Sequence, residues 1–238
     1  MVLEEQTNKY RALDEWFKTP QGICVAHAFV NELNAVSDFF SGKRLIQLGN
    51  CGDNLWLPSL RFRQKSLITP CRDTPNADLF SSLHYLPIDK NSVDCIIAPL
   101  TLEAFAHDKS PIDEIDRILK PMGYIVFLGI NPWSFWGAAL RWGRLACFGD
   151  ASATLSSSLS IKHAMTQRGY SQCMLSSFYY IPPVASEYLI HKLSFFNEMG
   201  KMLWPFPAGF YCYIVQKHQP CSPTPLFDVG DGLYFSNA

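Results

Sequence analysis

The sequence predicts a single α/β domain built on a mostly parallel sheet, and three observations predict it. Lys43 to Gly49, Ser92 to Ala98 and Tyr124 to Ile130 contain short apolar runs without polar alternation, as expected of strands covered on both faces. A helix with its own start and stop signals lies between the last two. The chain has 238 residues, 48% of them hydrophobic, enough for one large core.

The elements follow in order. Val25, Phe29, Leu33 and Val36 recur at helical spacing between Ile23 and Phe40, which predicts a helix beside the sheet. Lys43 to Gly49 is the first strand and Leu67-Ile68 the apolar end of a weaker second. Ser92 to Ala98 is the next. In the helix that follows, Ser110 is the expected N-cap, Pro111 the first helical residue and Asp113 the partner in a capping box. Ile112, Ile115, Ile118 and Leu119 form its apolar face, and Pro121 and Gly123 stop it. Tyr124 to Ile130 is the clearest strand. Trp133 to Leu145 then reads as an apolar helix, 149–158 as a loop, and Ile161 to Arg168 as a short helix. Cys173 to Tyr180 is a strand, 184–203 an amphipathic helical stretch, and Gly209 to Gln216 the last strand. Residues 1–218 are expected to form the domain, with 1–40 as a helical cap and 219–238 as a disordered tail.

Charged residues make up 17% of the chain and the net charge is −1, which gives no strong nucleic-acid signal. The uncharged stretch from Gly123 to Leu140 approaches membrane-span length. Asn131-Pro132 divides it, so a strand, a turn and a helix are expected rather than a span. Eight cysteines form no C-x-x-C pair and no zinc spacing, which predicts reduced thiols, no metal and a cytoplasmic location.

In a sheet of this kind, ligands bind beyond the strand carboxyl ends. Gly49-Asn50-Cys51-Gly52-Asp53 follows the first strand as a small-residue turn, fit either for close approach of a ligand or for a plain strand-to-helix connection. Leu86-Pro87-Ile88-Asp89-Lys90-Asn91-Ser92-Val93-Asp94, then Leu100-Thr101-Leu102-Glu103, then Leu119-Lys120-Pro121-Met122-Gly123-Tyr124 complete the pattern. In these segments the chain resembles the class I S-adenosylmethionine-dependent methyltransferases, in particular the type 11 set. The resemblance is good from Leu86 to Ile130, weak from Leu45 to Ile68, and topological beyond Pro132.

The resemblance implies a Rossmann-like, mostly parallel seven-stranded sheet with helices on both faces and an antiparallel C-terminal strand. It implies S-adenosyl-L-methionine as cofactor and an unidentified methyl acceptor, small molecule or macromolecule. The family's cofactor positions fall here on Gln47, Gly49, Asn50, Cys51, Gly52, Thr69, Ser82, Leu83, Pro99 and Leu100. Acidic residues that the family places after its first two strands and near adenine are replaced by Gln47, Thr69 and Ser82. Each lost charge-assisted contact removes about 1.5–3 kcal/mol, or one to two decades of affinity. Glu103 and His107, after the fourth strand, are the candidates for proton transfer. Three functions remain open on sequence: an active methyltransferase, a methyltransferase-fold scaffold without catalysis, and a nucleotide-dependent oxidoreductase. The last lacks G-x-G-x-x-G after the first strand.

Overall fold

The computed structural model describes residues 2–105, 111–145, 147–149, 155–203 and 207–218. Two helices come first, α1 (Val2–Phe17) and α2 (Pro20–Val36). Thr19 caps α2 by accepting the Gly22 N–H at 3.2 Å, and Pro20 opens it where a missing N–H costs nothing. Val25, Phe29, Leu33 and Val36 are buried, as their spacing predicted.

Seven strands follow: β1 (Gly42–Leu48), β2 (Phe62–Thr69), β3 (Leu79–Phe80), β4 (Val93–Pro99), β5 (Leu119–Ile130), β6 (Tyr170–Phe178) and β7 (Phe210–Lys217). Their order in the sheet is β3-β2-β1-β4-β5-β7-β6. Strands β1 to β5 run parallel, while β7 is antiparallel to both β5 and β6. The chain order reverses between β1 and β4, so their carboxyl ends form the switch point where a ligand crevice belongs.

The remaining helices are α3 (Thr101–Ala104), α4 (Ile112–Ile118), α5 (Phe135–Arg141), α6 (Ser158–Gln167), α7 (Glu187–Leu193) and α8 (Phe195–Leu203). Phe29 of α2 meets Trp56, Phe178 and Phe210 at ring separations of 5.5–5.6 Å. Burial of such a ring contributes about 1.5–3 kcal/mol, so α2 is fastened to the sheet by an aromatic layer.

Several boundaries differ from the sequence reading. Pro111 takes the cap position of α4 without a side-chain hydrogen bond, and Ser110 lies outside the described residues. The Asp113 carboxylate pairs with Arg168 at 2.7 Å, and its expected capping-box partner Ser110 lies outside the described residues. The helix ends at Ile118, and Lys120 to Gly123 are drawn into β5 through an irregular register between Val93 and Cys95. The helix after Asn131-Pro132 is only α5, because Gly143 takes a φ of +65° soon after it. The amphipathic stretch splits at Ser194 into α7 and α8. Asn131 does form a strand-ending turn, its side chain accepting from the Trp133 N–H at 3.1 Å. The C-terminal stretch 219–238 lies outside the described residues, as do residues 150–154 of the 149–158 loop.

The Leu86-to-Ile130 signature has a mechanical basis. Glu114 of α4 accepts the Leu86 N–H at 2.8 Å, and Arg117 donates to Leu86 O and Ile88 O at 2.8 Å. Glu114 and Arg117 also grip each other at 2.6 and 3.0 Å. One ion pair thus fixes the Leu-Pro segment against the helix that precedes β5. No helix among the described residues is long and apolar enough to cross a membrane.

Candidate functional site

The turn after β1 is built from inside. Gly49 has a φ of +87°, a conformation that favours glycine. Gln47 is fully buried and uses both ends of its amide. Its Oε1 accepts from the Trp56 indole at 2.8 Å; its Nε2 donates to Gly49 O at 2.9 Å and to Asn54 Oδ1. A carboxylate here could accept from Trp56 but could donate to neither oxygen. The amide is therefore a positive requirement of this turn. Asn54 Oδ1 also accepts the Cys51 N–H at 3.0 Å, and Asn54 Nδ2 donates to Asn50 Oδ1 at 2.6 Å.

Helix α1 lies across the carboxyl ends of β1, β2 and β4. Asp14 accepts from the Gly52 N–H at 3.0 Å and from the Asn50 side chain. Tyr10 packs on Gly49 so closely that a methyl group added there would overlap its ring. Thr7 donates to Pro70 O at 3.2 Å and accepts from the Cys71 thiol at 3.2 Å, just beyond Thr69. Gln6 accepts from the Ser82 hydroxyl and the Leu83 N–H, both at 3.4 Å. Lys9 donates to Ala104 O at 3.1 Å. One helix thus touches the glycine turn, the end of β2 and the Ser82-Leu83 segment, which are the places assigned to the cofactor from sequence. Gln6, Tyr10 and Asp14 repeat every four residues, a helical spacing that could have identified this face. The sequence reading placed residues 1–40 in a helical cap without assigning this face to the cofactor positions.

The other predicted positions form the floor. Thr69 is fully buried, and its hydroxyl accepts the Cys71 N–H at 3.2 Å. Leu83 and Leu100 are fully buried. Leu100 takes a φ of +50°, a strained conformation for a leucine, as the chain turns from Pro99 into α3. Thr101 then ties that turn to β1 by donating to Leu48 O at 3.1 Å.

Glu103 is fully buried rather than lying at a solvent-facing rim. Its Oε1 accepts from the Ile130 N–H at 2.9 Å and from the Tyr211 hydroxyl at 3.5 Å, above Gly129, where a side chain would collide with both Glu103 and Tyr211. Burial pushes its pKa up to about 7, against the hydrogen bond from Ile130. His107 lies outside the described residues. Burial also raises the Cys51 thiol well above its ordinary range, which suits a packing role rather than a nucleophile. No group of three metal-ligating side chains occurs among the described residues.

Three polar atoms here are buried without a hydrogen-bond partner among the described residues: Gln6 Nε2, Tyr10 OH and Glu103 Oε2. The Tyr10 hydroxyl sits beside Thr101 but out of hydrogen-bonding geometry. Each such atom costs about 1–3 kcal/mol when left unsatisfied.

Residues 70–127, about a quarter of the chain, match the family described as Methyltransferase domain. No curated protein matches the chain. Among solved structures, it is similar to a chain of the Haloferax volcanii complex between the Trm112 methyltransferase activator and a methyltransferase, at 16% identity. That alignment covers 89% of this chain and 98% of the other, with a TM-score of 0.61. A SAM-dependent methyltransferase from Thermotoga maritima aligns over 91% of this chain and 98% of its own, at 17% identity and a TM-score of 0.59. The [4+2]-cyclase SpnF also aligns, over 80% of each chain, at 14% identity and a TM-score of 0.54. With this strand order and a central methyltransferase-domain signature, the chain has the fold of the class I S-adenosylmethionine-dependent methyltransferases and resembles their type 11 set.

Proposed function

We propose that this protein is a cytoplasmic S-adenosylmethionine-dependent methyltransferase acting on an unidentified acceptor, with α1 closed over its cleft as a roof. The observation that carries the reading is the trio of buried atoms without a partner among the described residues, Gln6 Nε2, Tyr10 OH and Glu103 Oε2, on the groups enclosing the strand carboxyl ends. A polar ligand admitted beneath α1 would satisfy groups that the closed state leaves bare. The cofactor offers what they need: a cationic centre and an ammonium for a carboxylate, and a carboxylate and ring nitrogens for donors. Methyl transfer needs alignment more than side-chain chemistry, since the sulfonium is already activated. Glu103 is the residue to hold or move a proton at Oε2.

A second reading, a scaffold without catalysis, is favoured by a different observation. Tyr10 is fully buried against Gly49, and the Cys51 and Gly52 N–H groups of the turn are already engaged by Asn54 and Asp14. Calorimetry with S-adenosylhomocysteine separates the two. The first reading expects weak binding by the native chain. It expects binding at least about tenfold tighter for Asp14→Ala, which releases α1 from Asn50 and Gly52 of the turn, because the closed state reduces apparent affinity by the fraction of molecules that are open. No binding by either protein at millimolar ligand leaves the scaffold reading standing.

A further inference from the structure

At the opposite edge of the sheet, the strand amino ends carry a feature that the methyltransferase reading does not use. Lys43 and Arg44 lie at the start of β1, Arg63 and Gln64 early in β2, Ser92 just before β4, and Lys120 early in β5. These six residues line one open groove of about 450 Å³. Arg44 and Gln64 are register partners across β1 and β2, so parallel strands bring the groove's two walls side by side.

The charge in this groove is one-sided. Asp94 is the acid bonded into the cluster, and it is fully used there. Its Oδ1 pairs with Lys120 at 2.6 Å, while its Oδ2 accepts the Lys43 and Arg44 N–H groups at 3.1 and 2.8 Å. Among the described residues, the side chains of Lys43, Arg44 and Arg63 form no ion pair. Lys43, Arg44 and Arg63, none ion-paired among the described residues, therefore line one groove on a chain whose net charge is only −1. Gathering like charges without a counter-charge is unfavourable, and a bound anion relieves it. Arginine forks match phosphate oxygens, and Gln64 and Ser92 add neutral hydrogen-bonding groups.

We infer that this groove is a binding site for a small oligophosphate, a ligand carrying two or more linked phosphates. Its volume lies within the range of small-molecule sites, and the cations form a bounded cluster rather than the extended stripe that tracks a nucleic-acid backbone. The site lies at the sheet edge away from the glycine turn and shares no residue with the positions assigned to S-adenosylmethionine.

Calorimetry of the full chain with inorganic tripolyphosphate tests the inference. One-to-one binding is expected, weakened about tenfold between roughly 0.05 M and 0.3 M salt. Arg63→Gln should lower the affinity about five- to tenfold with an unchanged circular dichroism spectrum, since Arg63 is exposed. Arg141→Gln, outside the groove, should bind as the native chain does. Absence of saturable heat at millimolar tripolyphosphate, equal affinity for Arg63→Gln, or stronger binding per phosphate to single-stranded RNA would each overturn it.

Discussion

The turn after β1 and the unit from Leu86 to Ile130 belong to one sheet, yet they satisfy their polar groups differently. The Leu86 unit is held by an ion pair, Glu114 with Arg117, half open to water and bonded to the backbone it restrains. The β1 turn is held by buried amides, Gln47, Asn50 and Asn54, closed by the Trp56 indole and by the Asp14 carboxylate of α1. The contrast shows how a site can change character while the fold stays intact. At Gln47, where the resembled family has an acid, the chain has filled the space with donors and acceptors that complete one another. The solvent-facing pair can be lost at modest cost, whereas the buried network tolerates only groups of the same hydrogen-bonding type.

Restoring an acid to the turn is the most severe test of this contrast. Gln47→Glu should destabilise the fold by about 3–5 kcal/mol at pH 8, since it buries a charge facing two carbonyl oxygens. The loss should shrink at pH 5, where the new carboxyl can be protonated and donate again. Urea unfolding at the two pH values measures it. A variant as stable as the native chain would show that the network is dispensable.

Glu103 offers the next effect. Its folded pKa of about 7 lies above its ordinary value of 4.5. The folded state therefore holds the proton more tightly than the unfolded one. The resulting stability is fully present below about pH 4.5 and is lost as the pH rises through 7. The loss is on the order of 3 kcal/mol. Glu103→Gln should flatten that part of the pH–stability curve, which thermal melts at successive pH values would display.

The smallest effect belongs to the Leu86 unit. Arg117→Ala should cost about 1 kcal/mol, because the pair is partly solvated and Glu114 retains its bond to Leu86. A loss there as large as that of Gln47→Glu would erase the distinction between the two regions.

Much of the architecture was legible before any coordinates. The apolar runs at Leu45, Cys95 and Ile125 became β1, β4 and β5, because continuous apolar residues have no stable place but a doubly covered sheet. Local signals served less well where tertiary contacts overrode them. Asp113 has the spacing of a capping box, but the pairing of its carboxylate with distant Arg168 could not be read from that spacing. Lys120 and Pro121 read as the end of a helix, but pairing near Val93 drew them into β5. Gln47 read as the loss of an acid; only the positions of Trp56 and Asn54 show why an amide stands there.

The sequence by itself marked β1, β4, β5, β6 and β7, the apolar end of β2 and most helices, and it implied parallel pairing at the sheet's centre, since each follows from the pattern of apolar residues along a short stretch of chain. Only the tertiary structure decided that α1 covers the carboxyl edge, that Tyr10 rests on Gly49, and that four cations share a groove at the opposite edge. Those outcomes depend on which distant surfaces meet once the sheet has twisted and packed. No local pattern encodes such meetings, because their energies come from contacts between residues far apart in the chain.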